Sequence, residues 1–298
     1  MESTTAPASQ RVLAGILFMC GAGLLFPVMS GFAKFLGESG YSSLQVSWAR
    51  AFGHIVFTLA VFVPRFGLRM LKTRRPVIQL LRSSMLFMSN ATNFFAITFI
   101  PLAKTASISL MAPLLVVPLA WAILGERTTA GRMMALFVGF AGVLIVIRPG
   151  TELFHWASLF AVVSAGGYAV YQVLTRKVAG IDPPETSTIY SSLIGGFGMF
   201  AVLPFVWRTP HSLRDILFFC SLGVIGALGH YLVARAFTNA PANIVSPFQY
   251  MQLIGSVTVG YLFFGDFPDL LTWVGAGIIV ASGLYIGWSQ TRKAVART

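Results

Sequence analysis

Apolar runs separated by polar, glycine and proline punctuation recur along the whole chain. They fall at 12–36, 44–64, 77–99, 105–125, 129–148, 157–175, 187–207, 215–237, 243–264 and 270–289. Each is long enough to cross a hydrocarbon layer as a helix, which takes about 20 residues. A helix is the open structure that satisfies its own backbone there. The pattern predicts an all-α polytopic membrane protein with ten transmembrane helices and short connectors. The first run is too long for a cleavable signal peptide, and no clear cleavage site follows it.

Composition agrees and narrows the reading. Of 298 residues 56% are hydrophobic and only 10% charged, far from the roughly 25% charged residues of soluble domains. The net charge of +12 does not point to nucleic acid, because the basic residues sit in short connectors rather than in one basic domain. With the N-terminus inside, 15 Lys and Arg fall on the inner side (Arg11, Arg65, Arg69, Lys72, Arg74, Arg75, Arg82, Arg127, Arg132, Arg176, Lys177, Arg235, Arg292, Lys293, Arg297). Five fall outside (Lys34, Lys104, Arg148, Arg208, Arg214), and Arg50 lies within the second run. This bias predicts both termini on the cytoplasmic side of the membrane. Cys20 and Cys220 both lie in apolar runs, so neither a disulfide framework nor a metal cluster is implied.

The chain also repeats itself. Gly125-Glu126-Arg127 follows the fourth run, and Gly139 and Gly142-Val143 follow in the fifth. Gly265-Asp266-Phe267-Pro268 follows the ninth, and Gly275 and Gly283-Leu284 follow in the tenth. The offset is 140 residues at the Gly-acid pairs and 141 at Gly142 and Gly283. Two five-helix units are expected, 1–150 and 151–298, and five being odd, the second must run inverted. The Gly125 connector is basic and the Gly265 connector acidic, as inversion requires. Inverted repeats are a common transporter architecture, with the substrate site near the midplane between them.

The stretch Pro101-Leu102-Ala103-Lys104-Thr105-Ala106 through Ala112-Pro113-Leu114 to Gly125-Glu126-Arg127 and Gly139-Phe140-Ala141-Gly142-Val143 resembles the first EamA repeat of the drug/metabolite transporter superfamily. Arg50, in Trp48-Ala49-Arg50-Ala51-Phe52, is similar to the arginine that family carries in its second helix. The second repeat departs from the pattern, with Gln252-Leu253 where Glu-Pro is frequent. The resemblance implies a carrier of small metabolites. Exporters of aromatic amino acids (the YddG type) are the members most similar in length and aromatic content.

Polar residues within spans are costly and face the protein interior, which makes them functional candidates. For substrate binding these are Asn90 and Asn93, Met111, Tyr168, Tyr171 and Gln172, His230 and Tyr231, and Ser246, Gln249, Tyr250 and Gln252. Amides and hydroxyls suit the ends of a small zwitterion, and tyrosines with Met111 suit an apolar body. Each also has a plain structural role open to it, as hydrogen-bonding glue between helices. Arg50, a full charge inside its span, is a candidate anchor for a substrate carboxylate, or else snorkels or pairs with a carbonyl. Pro27, Pro113, Pro118 and Pro247 are expected helix breaks. The glycines of the fifth and tenth runs read as packing faces.

All nine acidic residues lie in tails, connectors or run ends. A carrier that couples to protons commonly uses an intramembrane carboxylate, and none is present. The reading is therefore an alternating-access carrier exporting amino acids, aromatic or otherwise apolar, by facilitated diffusion. The alternative is a proton-coupled drug/metabolite antiporter using His230 or His54, since histidine titrates near neutrality. An intramembrane enzyme is the rival from another class. It lacks an HExxH motif, paired acids and a Cys/His cluster. The expected partners are a small-molecule substrate and the lipid bilayer, with no nucleic acid, cofactor or metal.

Overall fold

The structure, a computed structural model, describes residues 8–125, 129–152, 154–178, 181–239 and 246–295. The described chain is all-helical. Five segments, 10–38, 43–66, 102–124, 157–178 and 213–236, are long and apolar enough to cross a membrane.

In chain order the helices are α1 (Ala8–Glu38), α2 (Ser43–Phe66), α3 (Pro76–Phe99), α4 (Leu102–Ser109), α5 (Ala112–Leu124), α6 (Ala130–Ile147) and α7 (Ala157–Val178). There follow α8 (Pro184–Tyr190), α9 (Leu193–Phe197), α10 (Leu203–Val206), α11 (Leu213–Asn239), α12 (Met251–Phe264) and α13 (Leu270–Val295). Several expected runs are single helices. The fourth is divided at Leu110–Met111 into α4 and α5, and the seventh into α8, α9, a 3₁₀ turn and α10. The ninth enters through a 3₁₀ turn, Ser246–Tyr250, before α12.

Local chemistry sets these ends. The Ser42 side chain accepts from the Leu44 N–H at 3.3 Å and caps α2, satisfying one of the donors a helix start leaves open. Gly67, Gly125 and Gly265 close α2, α5 and α12 at φ of 66°, 69° and 68°, positive values that glycine enters without a Cβ clash, and Gly125 and Gly265 form left-handed caps. Pro76 and Pro113 stand in first turns, where a missing N–H costs nothing. Pro113 thus marks the break before it. Pro27 and Pro118 do not break their helices: α1 and α5 run on through them. At Pro27 the carbonyl of Gly23 loses its donor, and α12 packs there through Gly255, where a side chain would meet the Pro27 ring at 2.7 Å. Pro247 belongs to the 3₁₀ turn by its backbone; its side chain lies outside the described residues.

Polarity runs opposite to that of a soluble protein. Leu13, Leu17, Phe137, Phe140, Phe205, Leu262, Phe263 and Leu270 face outward, while Arg50, His54, Gln79, Arg82 and His230 are buried. Between lipid-facing helices apolar burial gives little drive, so close approach through small residues carries the packing. The backbones of α2 and α11 meet at Gly53 and Gly223. Those of α6 and α13 meet at Gly142 and Gly275, where an added Cβ on either would lie 2.6–2.8 Å from the other's carbonyl oxygen. The pairs α1 with α11, α3 with α7, α2 with α11, and α6 with α13 form the main body.

The two ends of the bundle are tied by the acids. We call the side of the chain's N-terminus the near side. On the far side Lys34 of α1 meets Asp266 at 2.5 Å, Arg148 meets Asp269 at 2.5 Å, and Tyr41 donates to Asp215 at 2.8 Å. On the near side Asp182 accepts from Thr73 (2.5 Å), Gln79 (2.8 Å) and the Arg74 N–H (3.1 Å). Against burial, which alone would raise it, these bonds hold the Asp182 carboxyl below its ordinary pKa.

Candidate functional site

A water-accessible cavity of about 80 Å³ opens in the middle of the bundle, room for several waters. Its walls come from α1 (Phe26, Met29, Ser30), α3 (Leu86, Ser89, Asn90, Asn93, Phe94), the α4–α5 break (Ser109, Leu110, Ala112, Pro113), α7 (Ser164, Ala165, Tyr168), α11 (His230) and the start of the ninth span (Gln249, Gln252). Two interrupted spans therefore border it. Irregular backbone at membrane depth is tolerated where it is buried in protein or lines a cavity, and both interruptions contribute residues to this one.

Of the twelve candidate substrate residues, Asn90, Asn93, Tyr168, His230, Gln249 and Gln252 line this cavity. The Asn90 amide turns back to the Leu86 carbonyl at 2.7 Å. The Gln249 amide reaches Gln172 at 3.5 Å, so Gln172 stands behind the wall. Tyr171 also lies behind it, stacked on Tyr168 with ring centroids 5.5 Å apart. Met111 is buried in the core at the α4–α5 bend. Tyr231 packs on Phe62 at 4.9 Å, away from the cavity. The Tyr250 hydroxyl lies against Gly283 of α13. The Ser246 side chain lies outside the described residues.

Arg50 is not among the lining residues. It sits behind His230, its Nη2 at 2.7 Å from His230 Nε2, with 2% of the residue exposed. Gly226 of α11 leaves the space it fills; a Cβ there would lie 3.3 Å from Arg50 Nε. Beyond it the polar seam continues through Tyr171, whose hydroxyl lies 3.4 Å from both His230 Nδ1 and Ser191 Oγ. Arg82 donates to Ser191 (3.1 Å), Thr175 (3.2 Å) and the Ser187 carbonyl.

Sequence reasoning missed Phe26, Met29, Ser30, Ser109 and Phe94. Ser30 carries the clearest signal, being the one hydroxyl within 12–36. Ser89 and Ser164 cross-link α3 to α7, each hydroxyl bonding the other's carbonyl at 2.9 and 2.8 Å.

A second, smaller cavity shares Ser30, Asn93, Ser109 and Gln252 with the first and continues to Thr105 and Ser256. It runs towards the far side. Lys34 follows Ser30 by one turn on α1 and is paired with Asp266. Among the described residues no group of three or more His, Cys, Asp or Glu converges to hold a metal.

Comparison with known proteins places this architecture. The model of the EamA-like transporter family matches residues 13–148 and again 155–288. An S-adenosylmethionine uptake transporter of Rickettsia conorii is 30% identical over 265 residues, covering 89% of each chain. A riboflavin transporter of Vibrio cholerae is 28% identical over 285 residues, covering 94% of this chain and 95% of that one. A solved crystal structure with 18% identity superposes with a TM-score of 0.63 over 94% of this chain and 98% of its own, a likeness of fold alone. The two named relatives are transporters, not enzymes. With two matched segments that together span most of its length, the chain belongs to the EamA-like transporter family.

Proposed function

We propose that this chain is a facilitative, alternating-access carrier of the bacterial inner membrane, with both termini cytoplasmic, for metabolites that join an amino acid head to an aromatic or other apolar body. The observation that carries the reading is the make-up of the central cavity. Amides and hydroxyls of Asn90, Asn93, Gln249, Gln252, Ser30 and Ser109 surround a wall of Phe26, Phe94, Tyr168 and His230. Such a girdle holds a polar head while the aromatic faces take a planar body.

The inverted-repeat reading, 1–150 and 151–298, is supported by how the spans pair. Exchanging the halves turns the α1–α11 pair into α7–α3 and the α1–α12 pair into α7–α5, and all four pairs are packed. Gly125 and Gly265, 140 positions apart, take the same left-handed conformation. A site between such halves is exposed alternately to either side.

Facilitation rests on the acids. Every described Asp and Glu lies in a loop or an end turn of a helix, so no described carboxylate stands in the body of a span to carry a proton. Without coupling, the substrate gradient sets direction. Export, implied by the family resemblance, and uptake, named for the Rickettsia relatives, are then one cycle run in two directions. S-adenosylmethionine falls within the proposed substrate class, as a planar base joined to an amino acid head. Riboflavin, neutral and planar, is the second reading, favoured by a cavity lining without an ionised side chain.

The test is binding of a radiolabelled panel to the purified protein: tryptophan, phenylalanine, S-adenosylmethionine and riboflavin. Saturable binding of an amino-acid-headed ligand, weakened by Asn93→Ala, supports the proposal. Binding of riboflavin alone selects the second reading, and binding of none rejects both.

A further inference from the structure

The arginine within the membrane has a partner that the substrate does not supply. We propose that Arg50 is a positioning residue that holds His230 neutral and in a single tautomer, making it an aromatic wall of the cavity and keeping transport indifferent to pH. This deepens the carrier reading and rests on it.

The contact fixes the protons. A guanidinium has five N–H donors and no acceptor. At 2.7 Å from Arg50 Nη2, His230 Nε2 must therefore carry a lone pair. The ring proton is then on Nδ1, which faces the Tyr171 hydroxyl at 3.4 Å and donates to it. An imidazolium would set N–H against N–H, so this contact and a protonated His230 exclude each other. Both nitrogens are committed within the protein, and the ring offers the cavity its face and edge. Phe26 extends that surface, with centroids 5.2 Å apart at 53°, an arrangement suited to gripping a planar ring.

The surroundings reinforce the lock. From α2 come Arg50 and His54, whose ring centroid is 6.0 Å from that of His230. From α7 come Tyr171, at 5.8 Å, and Tyr168 behind it. From α3, Arg82 lies over the Tyr171 ring at 5.3 Å. Packed α1 contributes the uncharged Phe26, and the residues that α8, also packed on α11, buries are the uncharged Thr186, Ser187, Thr188 and Ile189. The charged groups facing His230 are thus all cationic, and no described carboxylate joins them. Two glycines of α11 admit the device: Gly223 brings the helix onto Gly53, and Gly226 clears the arginine's path.

Two measurements decide. In the first, all four histidines are labelled with ¹⁵N and read by solid-state NMR without substrate, His230 being assigned by its loss in His230→Gln. The expected signal is a neutral Nδ1–H tautomer from about pH 8 down to pH 5.5, across the range where a free histidine becomes an imidazolium. An imidazolium signal for His230 at pH 6 overturns the proposal. The second follows counterflow of a bound panel substrate in proteoliposomes over the same pH range. Wild type is expected to vary less than about twofold, whereas Arg50→Met falls at least about fivefold towards pH 5.5 as the freed histidine titrates. Arg50→Lys, which keeps a donor, restores the flat profile, and Arg50→Met/His230→Gln is flat again. A flat Arg50→Met, or a slope that survives in the double variant, overturns the proposal. The NMR experiment needs no substrate and no Arg50 variant, so failure of the substrate class is read separately from failure of the lock.

Discussion

The far-side tie between Lys34 and Asp266 bears directly on how the cavity is reached. Its side chains are 7% and 25% exposed and meet at 2.5 Å. Removing one partner of a fully buried pair costs about 3–5 kcal/mol. Here Lys34 keeps two lesser contacts, Glu38 at 3.7 Å and the Phe264 ring at 4.7 Å, so the loss is nearer the about 2 kcal/mol of a single charge-assisted bond. If the tie holds the far side shut, Asp266→Ala shifts the closed-to-open balance by that amount, about 30-fold at 1.4 kcal/mol per tenfold. The assay places one cysteine at Ser30, in both cavities and one turn below Lys34, with Cys20 and Cys220 replaced by alanine. A membrane-impermeant maleimide added on the far side then reports the open fraction. Asp266→Ala is expected to label about 10- to 30-fold faster, and the swapped pair Lys34→Asp/Asp266→Lys to return to the slow rate. Unchanged labelling in Asp266→Ala would refute the gating role.

Other expectations follow from the packing and the loops. Gly223→Ala forces a Cβ onto the Gly53 backbone and to 2.7 Å from the His54 nitrogen; overpacking of this kind costs about 1–3 kcal/mol, read as a lowered melting temperature in detergent. Arg148 holds the Asp269 carboxyl down at a pKa of about 2, below the ordinary value of 3.8. Its contribution is therefore complete above the ordinary value and is lost as pH falls through about 2. With Asp269 half-exposed it is worth at most about 1 kcal/mol, so the melting difference between wild type and Asp269→Asn should be constant from pH 7 to 5 and vanish towards pH 2. Gln252→Ala removes an amide shared by both cavities and should raise the transport KM by about tenfold, the cost of one lost hydrogen bond, with little change in melting temperature.

The helices were legible because hydropathy and length are enough to mark a span. The interruptions were partly so. Pro113 announced the α4–α5 break, but Pro27 and Pro118 sit in continuous helices, because a proline can be absorbed where a neighbour packs into the gap, as Gly255 does at Pro27. The seventh span divides among Ser191, Ser192 and the glycines that follow, and the Arg82 bond to Ser191 comes from another helix, which the local sequence does not show. Half of the candidate substrate residues line the cavity because intramembrane polar groups must face inward. Which inward-facing space they reach is not encoded locally. Tyr231 follows His230 on α11, about 100° around the helix, and so packs on Phe62 instead. Met111 falls at a bend, where helical periodicity no longer sets side-chain direction. Arg50 was visible as a charge, but its partner lies 180 positions away, and only the fold brings them together.

The central claim is that an amphipathic metabolite with an amino acid head crosses through this cavity without coupling to protons. Counterflow in proteoliposomes tests it most directly: vesicles loaded with unlabelled tryptophan or S-adenosylmethionine are diluted into trace label at equal pH on both sides, then with an imposed pH difference. The account predicts saturable, transient uptake of label that Asn93→Ala weakens and the pH difference leaves unchanged. Steady accumulation driven by the pH difference, or flux that does not saturate, would contradict it.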